Sequence, residues 1–114
     1  MSYEVQQDGK FKFIEEGEGE PLMLLHGLFG ALSNFNAMID HFKQTHKIVV
    51  PLLPLLDMDL LHTSVGGLEK FVHKFIEHRK YNNIHLMGNS LGGHVALVHI
   101  LKHPQPIKSL ILTG

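Results

Sequence analysis

Short apolar runs alternate with helical stripes along the chain. Two alternating runs near the N-terminus, residues 3–6 and 11–14, flank Asp8-Gly9, a dipeptide typical of tight turns. This pattern predicts an antiparallel hairpin. The later predicted strands lie at residues 22–25, 47–50, 84–87 and 107–113. The first of them is a continuous apolar run, typical of a parallel strand covered on both faces.

Apolar residues at helical spacing separate these predicted strands. The clearest stripe places Glu69 on the opposite, solvent-facing side of its helix. Ser33 is expected to cap an earlier helix, and the last helix is expected to stop at His103-Pro104. The apolar positions of the three predicted helices are Phe35, Met38, Ile39 and Phe42; Leu68, Phe71, Val72, Phe75 and Ile76; and Val95, Leu97, Val98 and Leu101.

Strands joined through helices of this length predict right-handed crossovers and a mostly parallel sheet covered on both sides. The expected fold class is therefore α/β, a three-layer sandwich that opens with an antiparallel hairpin. The chain has 114 residues and shows no internal linker, so we expect one domain over residues 1–114.

Composition narrows the possible partners. The formal net charge is -1, so no basic field indicates nucleic acid or a membrane surface. The chain has no cysteine, and its 10 histidines are scattered along the sequence, which favours the absence of a metal site or other cofactor. The start lacks a signal-peptide pattern and no apolar run reaches ~20 residues, so we expect a soluble, cytoplasmic protein.

One glycine-rich turn carries candidate chemistry. Residues 88–93 read Gly-Asn-Ser-Leu-Gly-Gly, a G-x-S-x-G match between a predicted strand and a predicted helix. Such a turn holds Ser90 above the sheet edge, with Gly88 and Gly92 allowing close backbone approach and helix N–H groups behind it. The simpler alternative, in which Ser90 only caps the helix, is weakened by these flanks.

A second glycine loop follows another predicted strand. His26-Gly27-Leu28-Phe29-Gly30 is placed where a backbone N–H can face the serine. Neither glycine loop contains G-x-G-x-x-G or G-x-x-x-x-G-K-[ST], so a nucleotide site ranks low.

Together these two loops and the order of elements between them resemble the α/β-hydrolase superfamily, over the whole chain. The resemblance implies that Ser90 is the nucleophile and that the N–H groups of Leu91 and Leu28 form the oxyanion hole. It further implies that His26 shapes the oxyanion loop and is not the base. Asn89 before the serine is similar to esterase-like members and to carbon–carbon bond hydrolases.

The resemblance also indicates what is missing. Family members carry the acid and then the base histidine after the strand at residues 107–113, whereas this sequence stops at Gly114. We therefore expect an N-terminal portion of the fold, without lid and later strands, that acts weakly or not at all on small ester or acyl substrates. Replacement bases would have to come from His94 or from the segment holding Asp57, Asp59 and His62, and neither is favoured.

The open end of the predicted sheet bears on assembly. The strand Ser109 to Thr113 would form an open sheet edge, which predicts a homodimer or larger assembly through strand pairing or exchange. Two hypotheses stand as alternatives to a weakly active hydrolase fragment. In the first, another chain supplies the missing base to an assembled enzyme. In the second, the pocket belongs to a non-catalytic module that binds an acyl or carboxylate ligand. The sequence does not identify the substrate.

Overall fold

The described residues form one six-stranded sheet with three helices. The computed structural model describes residues 3–27, 35–54 and 64–114. The strands are β1 (Gln6–Asp8), β2 (Phe11–Glu16), β3 (Pro21–Leu25), β4 (Lys47–Pro51), β5 (Ile84–Asn89) and β6 (Ile107–Thr113); the helices are α1 (Asn36–Phe42), α2 (Val65–Arg79) and α3 (Leu91–Lys102).

The strand order in the sheet is β1-β2-β4-β3-β5-β6. The strands β4, β3, β5 and β6 run parallel, and β1 and β2 join at one side in antiparallel pairing. This arrangement confirms the predicted α/β class and the antiparallel N-terminal hairpin. Because β3 and β5 occupy inner positions, their C-terminal ends lie side by side, where ligands bind in open α/β sheets.

Two apolar clusters cover the two faces of the sheet. Along β3, Met23 and Leu25 pack on the side of α2 and α3, whereas Leu22 and Leu24 pack on the side of α1. All four side chains are buried. Since successive strand residues point to opposite faces, the continuous apolar run reflects a strand covered on both sides, as its sequence predicts.

The hairpin differs in register from its prediction. Asp8 pairs with Phe11, so Gly9 and Lys10 form the two-residue loop. Gly9 takes the positive φ of 62° that a turn of this kind requires. The first strand consequently covers Gln6–Asp8 and not residues 3–6.

The predicted buried faces of two helices, α2 and α3, differ from those in the structure. Glu69 is only 2% exposed, because α3 packs against the side of α2 that was expected to face solvent. On α3, Leu97 and Leu101 are exposed while Val95, Ala96 and His99 are buried. Both helices therefore use a contact face that apolar residues alone do not mark.

The helix ends agree in part with the sequence. In α2, Ser64 is the N-cap and its hydroxyl accepts a hydrogen bond from Gly67 N–H at 3.0 Å. The end of α3 before Pro104 is confirmed. The expected cap Ser33 lies outside the described residues. None of the helices in the described ranges has the length and apolar character needed to cross a membrane.

Candidate active site

Ser90 lies at the junction between β5 and α3 in an unusual backbone conformation. Its φ and ψ are 56° and -118°, a left-handed region that a residue with a Cβ rarely adopts. A conformation of this kind costs on the order of 1–3 kcal/mol and persists only where the surroundings enforce it. The side chain is exposed. The turn thus presents the hydroxyl to solvent at the sheet edge.

Two glycines allow this turn to form. A Cβ on Gly88 would lie 2.7 Å from Gly93 Cα, and a Cβ on Gly92 would lie 2.5 Å from the carbonyl carbon of Leu25. Real Cβ atoms do not approach backbone this closely, so α3 can pack against β3 and β5 only with glycine at both positions. The spacing of the G-x-S-x-G match therefore has a steric cause.

The last strand supports the turn. Ser90 N–H donates to the Thr113 carbonyl at 3.1 Å, and the Asn89 amide donates to Thr113 Oγ1 at 3.0 Å. No local sequence pattern marks Thr113 as part of the site. A signal was available, since the carboxyl ends of neighbouring parallel strands meet at one edge of the sheet.

The start of α3 offers N–H donors beside the hydroxyl. The first N–H groups of a helix have no intrahelical acceptor, so Leu91 N–H, in the first turn, has none. The N-terminal end of a helix also carries partial positive charge. The second predicted donor, Leu28, lies outside the described residues, as do Phe29 and Gly30.

His26 connects the end of β3 to the chain beyond β4. Leu53 N–H donates to His26 Nε2 at 3.1 Å, which makes Nε2 the acceptor and places the ring proton on Nδ1. Nδ1–H then donates to the Gly27 carbonyl at 3.1 Å. Both ring nitrogens are engaged and the ring is buried. His26 therefore links the end of β3 to Leu53, and both of its ring nitrogens are already hydrogen-bonded.

Gly27 lies directly against the serine. A Cβ at Gly27 would be 3.3 Å from Ser90 Cβ and 3.7 Å from Ser90 Oγ. Gly27, the first glycine of the second predicted loop, thus lies beside the serine of the first one.

A cleft of about 500 Å³ opens at this edge of the sheet. The residues that line it are Ser90, Leu91, Gly93, His94, Leu97, Leu112, Thr113 and Gly114. His94 shares the cleft, but within the described part of the chain Ser90 has no hydrogen-bonded histidine. Asp57, Asp59 and His62 lie outside the described residues. The arrangement therefore places an exposed hydroxyl, that of Ser90, beside a backbone N–H donor, that of Leu91.

Comparisons with known proteins agree with this geometry. A family model described as serine aminopeptidase, S33, matches residues 55–114. Lipase 3 of Moraxella sp. (strain TA144) is 32% identical over 98 residues, and lipase 1 of Psychrobacter immobilis is 31% identical over 110 residues. These alignments cover 82% and 90% of this chain, but only 31% and 34% of the two lipases.

A solved structure gives a similar result. The enzyme MGS-MChE2, an α/β hydrolase from a metagenome of sediments of the Mar Chica lagoon in Morocco, superposes with a TM-score of 0.91 at 42% identity. The match covers 97% of this chain and 52% of that enzyme.

Proposed function

Since this chain belongs to the α/β-hydrolase superfamily, we propose that it carries the nucleophile-bearing part of an ester hydrolase active site, with Ser90 as the nucleophile. The relatives reported above are lipases and an α/β hydrolase, which supports ester hydrolysis as the family-level chemistry. The chain spans about a third of the two lipases, so the activity of a whole protein is part of the proposal.

The backbone of Ser90 is the observation that carries this proposal. A serine that only caps a helix adopts extended backbone angles, as Ser64 does at the start of α2 with φ -133° and ψ 161°. Ser90 instead has φ 56° and makes no capping bond with its side chain. The strain is useful when the hydroxyl must stand clear of the sheet to meet a substrate.

The chemistry proposed for the site is acyl transfer. Ser90 Oγ attacks the ester carbonyl carbon, and the resulting oxyanion accepts hydrogen bonds from Leu91 N–H and, by family resemblance, from Leu28 N–H. Collapse of this intermediate breaks the bond to the alcohol and leaves an acyl-serine, which water hydrolyses. The Oγ proton requires a base that the described residues do not place on Ser90. We therefore propose that the 114-residue chain by itself is at most weakly active, since loss of a triad partner lowers the rate by roughly 10⁴ or more.

The ligand proposed for the cleft is a small ester or acyl compound. Among the described residues its lining is mostly apolar, and His94 is the one acidic or basic side chain there. No cofactor enters this chemistry, and the cytoplasmic location stays a prediction from the sequence.

Reaction with a fluorophosphonate probe tests the nucleophile. Because the probe is itself electrophilic, we expect slow covalent labelling of the purified chain that disappears in the Ser90→Ala variant, with little turnover of p-nitrophenyl acetate. The matched control is Ser109→Ala, because this serine lies on β6 away from the turn at residues 88–93. Equal labelling of the wild type and Ser90→Ala would contradict the proposal. Thermal stabilisation by a carboxylate ligand without labelling would instead favour a binding module.

We further propose that the chain forms a homodimer through β6. This strand pairs with β5 on one side and lies at the edge of the described sheet. It is seven residues long and carries one charged residue, Lys108. Antiparallel pairing of two copies centred near Leu110 keeps the two lysines apart and avoids like-charge repulsion.

A further inference from the structure

Ser90 is held from two sides by backbone hydrogen bonds. Its carbonyl accepts from Gly93 N–H at 2.9 Å and from His94 N–H at 3.2 Å, both in the first turn of α3. On the other side, its N–H donates to the Thr113 carbonyl at 3.1 Å. The helix therefore fixes one end of this strained residue, and the end of β6 fixes the other.

The β6 side of this support is the weaker of the two. In the described sheet β6 pairs with β5 on one side, and Asn89 and Thr113 are the last pair of that register. Strand ends without a second neighbour open more readily than hydrogen bonds inside a packed helix or an inner strand. Leu112 and Thr113 are exposed, so little packing keeps this end of β6 in place. The backbone bond to Thr113 by itself would therefore hold Ser90 loosely.

A side-chain hydrogen bond ties this weak end of β6 to the turn. The Asn89 amide donates to Thr113 Oγ1 at 3.0 Å, and the two residues lie opposite each other on β5 and β6. Side-chain pairs across neighbouring strands stabilise the pairing of those strands. Because Asn89 immediately precedes Ser90, the bond restrains the peptide group that leads into the strained residue.

The residue after Thr113 lies just as close to the turn. Gly114 has a φ of 82°, and a Cβ there would be 3.2 Å from both Ser90 N and Asn89 Nδ2. A residue with a side chain would have to adopt a φ that it rarely takes, and its Cβ would press on both nitrogen atoms. Glycine at this position therefore lets the end of β6 lie directly against Asn89 and Ser90.

We propose that Asn89 and Thr113 are positioning residues, and that the hydrogen bond between their side chains, the Asn89–Thr113 clamp, holds the Ser90 hydroxyl in its reactive position. The effect on reactivity rests on the proposed function, whereas the clamp itself does not. Positioning of this kind matters because a displacement of about 1 Å can lower a reaction rate roughly 10²-fold. The clamp also gives a reason for the asparagine before the serine, since this side chain reaches across to β6.

Hydrogen exchange of the Ser90 amide tests the clamp without any chemistry at Ser90. Thr113→Val replaces the hydroxyl by a methyl group and keeps a good strand former on β6. Loss of a typical hydrogen bond should speed exchange of Ser90 N–H at least about threefold, as measured by NMR. Thr113→Ser keeps the hydroxyl and should exchange at the wild-type rate. The control is Thr45→Val, which removes a hydroxyl just before β4, near the amino-terminal ends of the parallel strands.

The kinetics of fluorophosphonate labelling extend the test to reactivity. They separate the affinity for the probe from the maximal labelling rate. A positioning role predicts that Thr113→Val lowers the maximal rate at least about fivefold and leaves the affinity unchanged. Asn89→Ala should have the same effect. The double variant should lose no more than either single variant, because each change removes the same bond.

Faster exchange and slower maximal labelling in Thr113→Val, both restored in Thr113→Ser, would support the clamp, with circular dichroism confirming that the variants fold. Unchanged exchange in folded Thr113→Val would overturn it, as would additive losses in the double variant. Faster exchange with an unchanged labelling rate would overturn the positioning role. A folded wild type that is not labelled at Ser90 would defeat the proposed function and with it the positioning role, whereas the exchange rates would still decide whether the clamp exists.

Discussion

The two edges of the sheet are built in opposite ways. At one edge, the short strand β1 carries Asp8, which meets His78 at 2.9 Å and Arg79 at 2.8 Å. The Arg79 guanidinium also lies over the Phe13 ring at 4.6 Å. At the other edge, β6 is longer and exposes Ile111 and Leu112.

The two edges therefore differ in how readily they can pair with a strand of another chain. Short edge strands with charged neighbours resist pairing with other chains, whereas a long apolar edge has the character of an inner strand. In the described sheet both β1 and β6 pair on one side only, but β1 is short and flanked by charged side chains, whereas β6 is longer and more apolar. Ser90 depends on the second edge, because its N–H bonds to Thr113 on β6.

The largest expected effect comes from truncating one core side chain near each edge. Phe13 on β2 is 1% exposed and lies 5.2 Å from the Phe75 ring. Phe13→Ala should lower the free energy of unfolding by about 3–5 kcal/mol through the cavity it leaves. Leu110→Ala on half-buried β6 should cost less than about 2 kcal/mol. Urea denaturation measures both, and equal losses would show that β6 is packed as well as β2.

A smaller effect, on self-association, is expected when a charge is placed on the β6 edge but not when it is placed on the β1 edge. Ile111→Lys should raise the dissociation constant of the proposed homodimer at least about tenfold, or about 1.4 kcal/mol, since a charged edge disfavours strand pairing. Gln6→Lys on β1 serves as the matched control and should leave association unchanged. Sedimentation or light scattering over a range of concentrations reports the result. A wild-type chain that stays monomeric throughout would refute the homodimer.

The smallest effect concerns the one charge on β6. Lys108 lies 3.0 Å from Glu20 Oε2, and this contact, together with His85, holds the pKa of Glu20 below its usual 4.5. A lowered carboxyl pKa adds stability above pH 4.5 that is lost as the pH falls through the folded value. Lys108→Gln should therefore raise the pKa of Glu20 towards 4.5 and reduce this acid sensitivity slightly.

Carboxyl resonances followed by NMR during a pH titration would measure that change. Lys12→Gln, at an exposed position of β2, is the control and should leave the pKa of Glu20 where it is. An unchanged pKa in Lys108→Gln would mean that His85 alone lowers it.

Apart from β1, the sequence predicts the strands well because each of them carries a local signal. An unbroken apolar run such as residues 22–25 can be satisfied only where both faces are covered, and the structure covers both. Helix faces were harder to predict. Apolarity marked Leu97 and Leu101 as core positions, yet α3 buries Ala96 and His99, because small side chains and the hydrogen bond between His99 and Glu69 suit the close contact with α2.

In the candidate site, too, features set by neighbouring residues were predictable and contacts between distant elements were not. Ser90, Gly88 and Gly92 are recognisable because a tight strand-to-helix turn constrains residues that are adjacent in sequence. Thr113 was missed, since its bond to Ser90 spans 23 positions and depends on which strands become neighbours. The Glu69–His99 pair was missed for a similar reason, as it joins two helices whose relative placement no local pattern encodes.

The bonds between Thr113 and the Ser90 turn also set an order of events during synthesis. The ribosome releases the chain from the N-terminus, so β5 and α3 emerge before residue 113 does. Until then, the Ser90 N–H and the Asn89 amide have no Thr113 to bond. The strained turn is thus completed only after a later strand has docked, and a nascent chain passes through a stage in which Ser90 is present but its turn is not yet supported by Thr113.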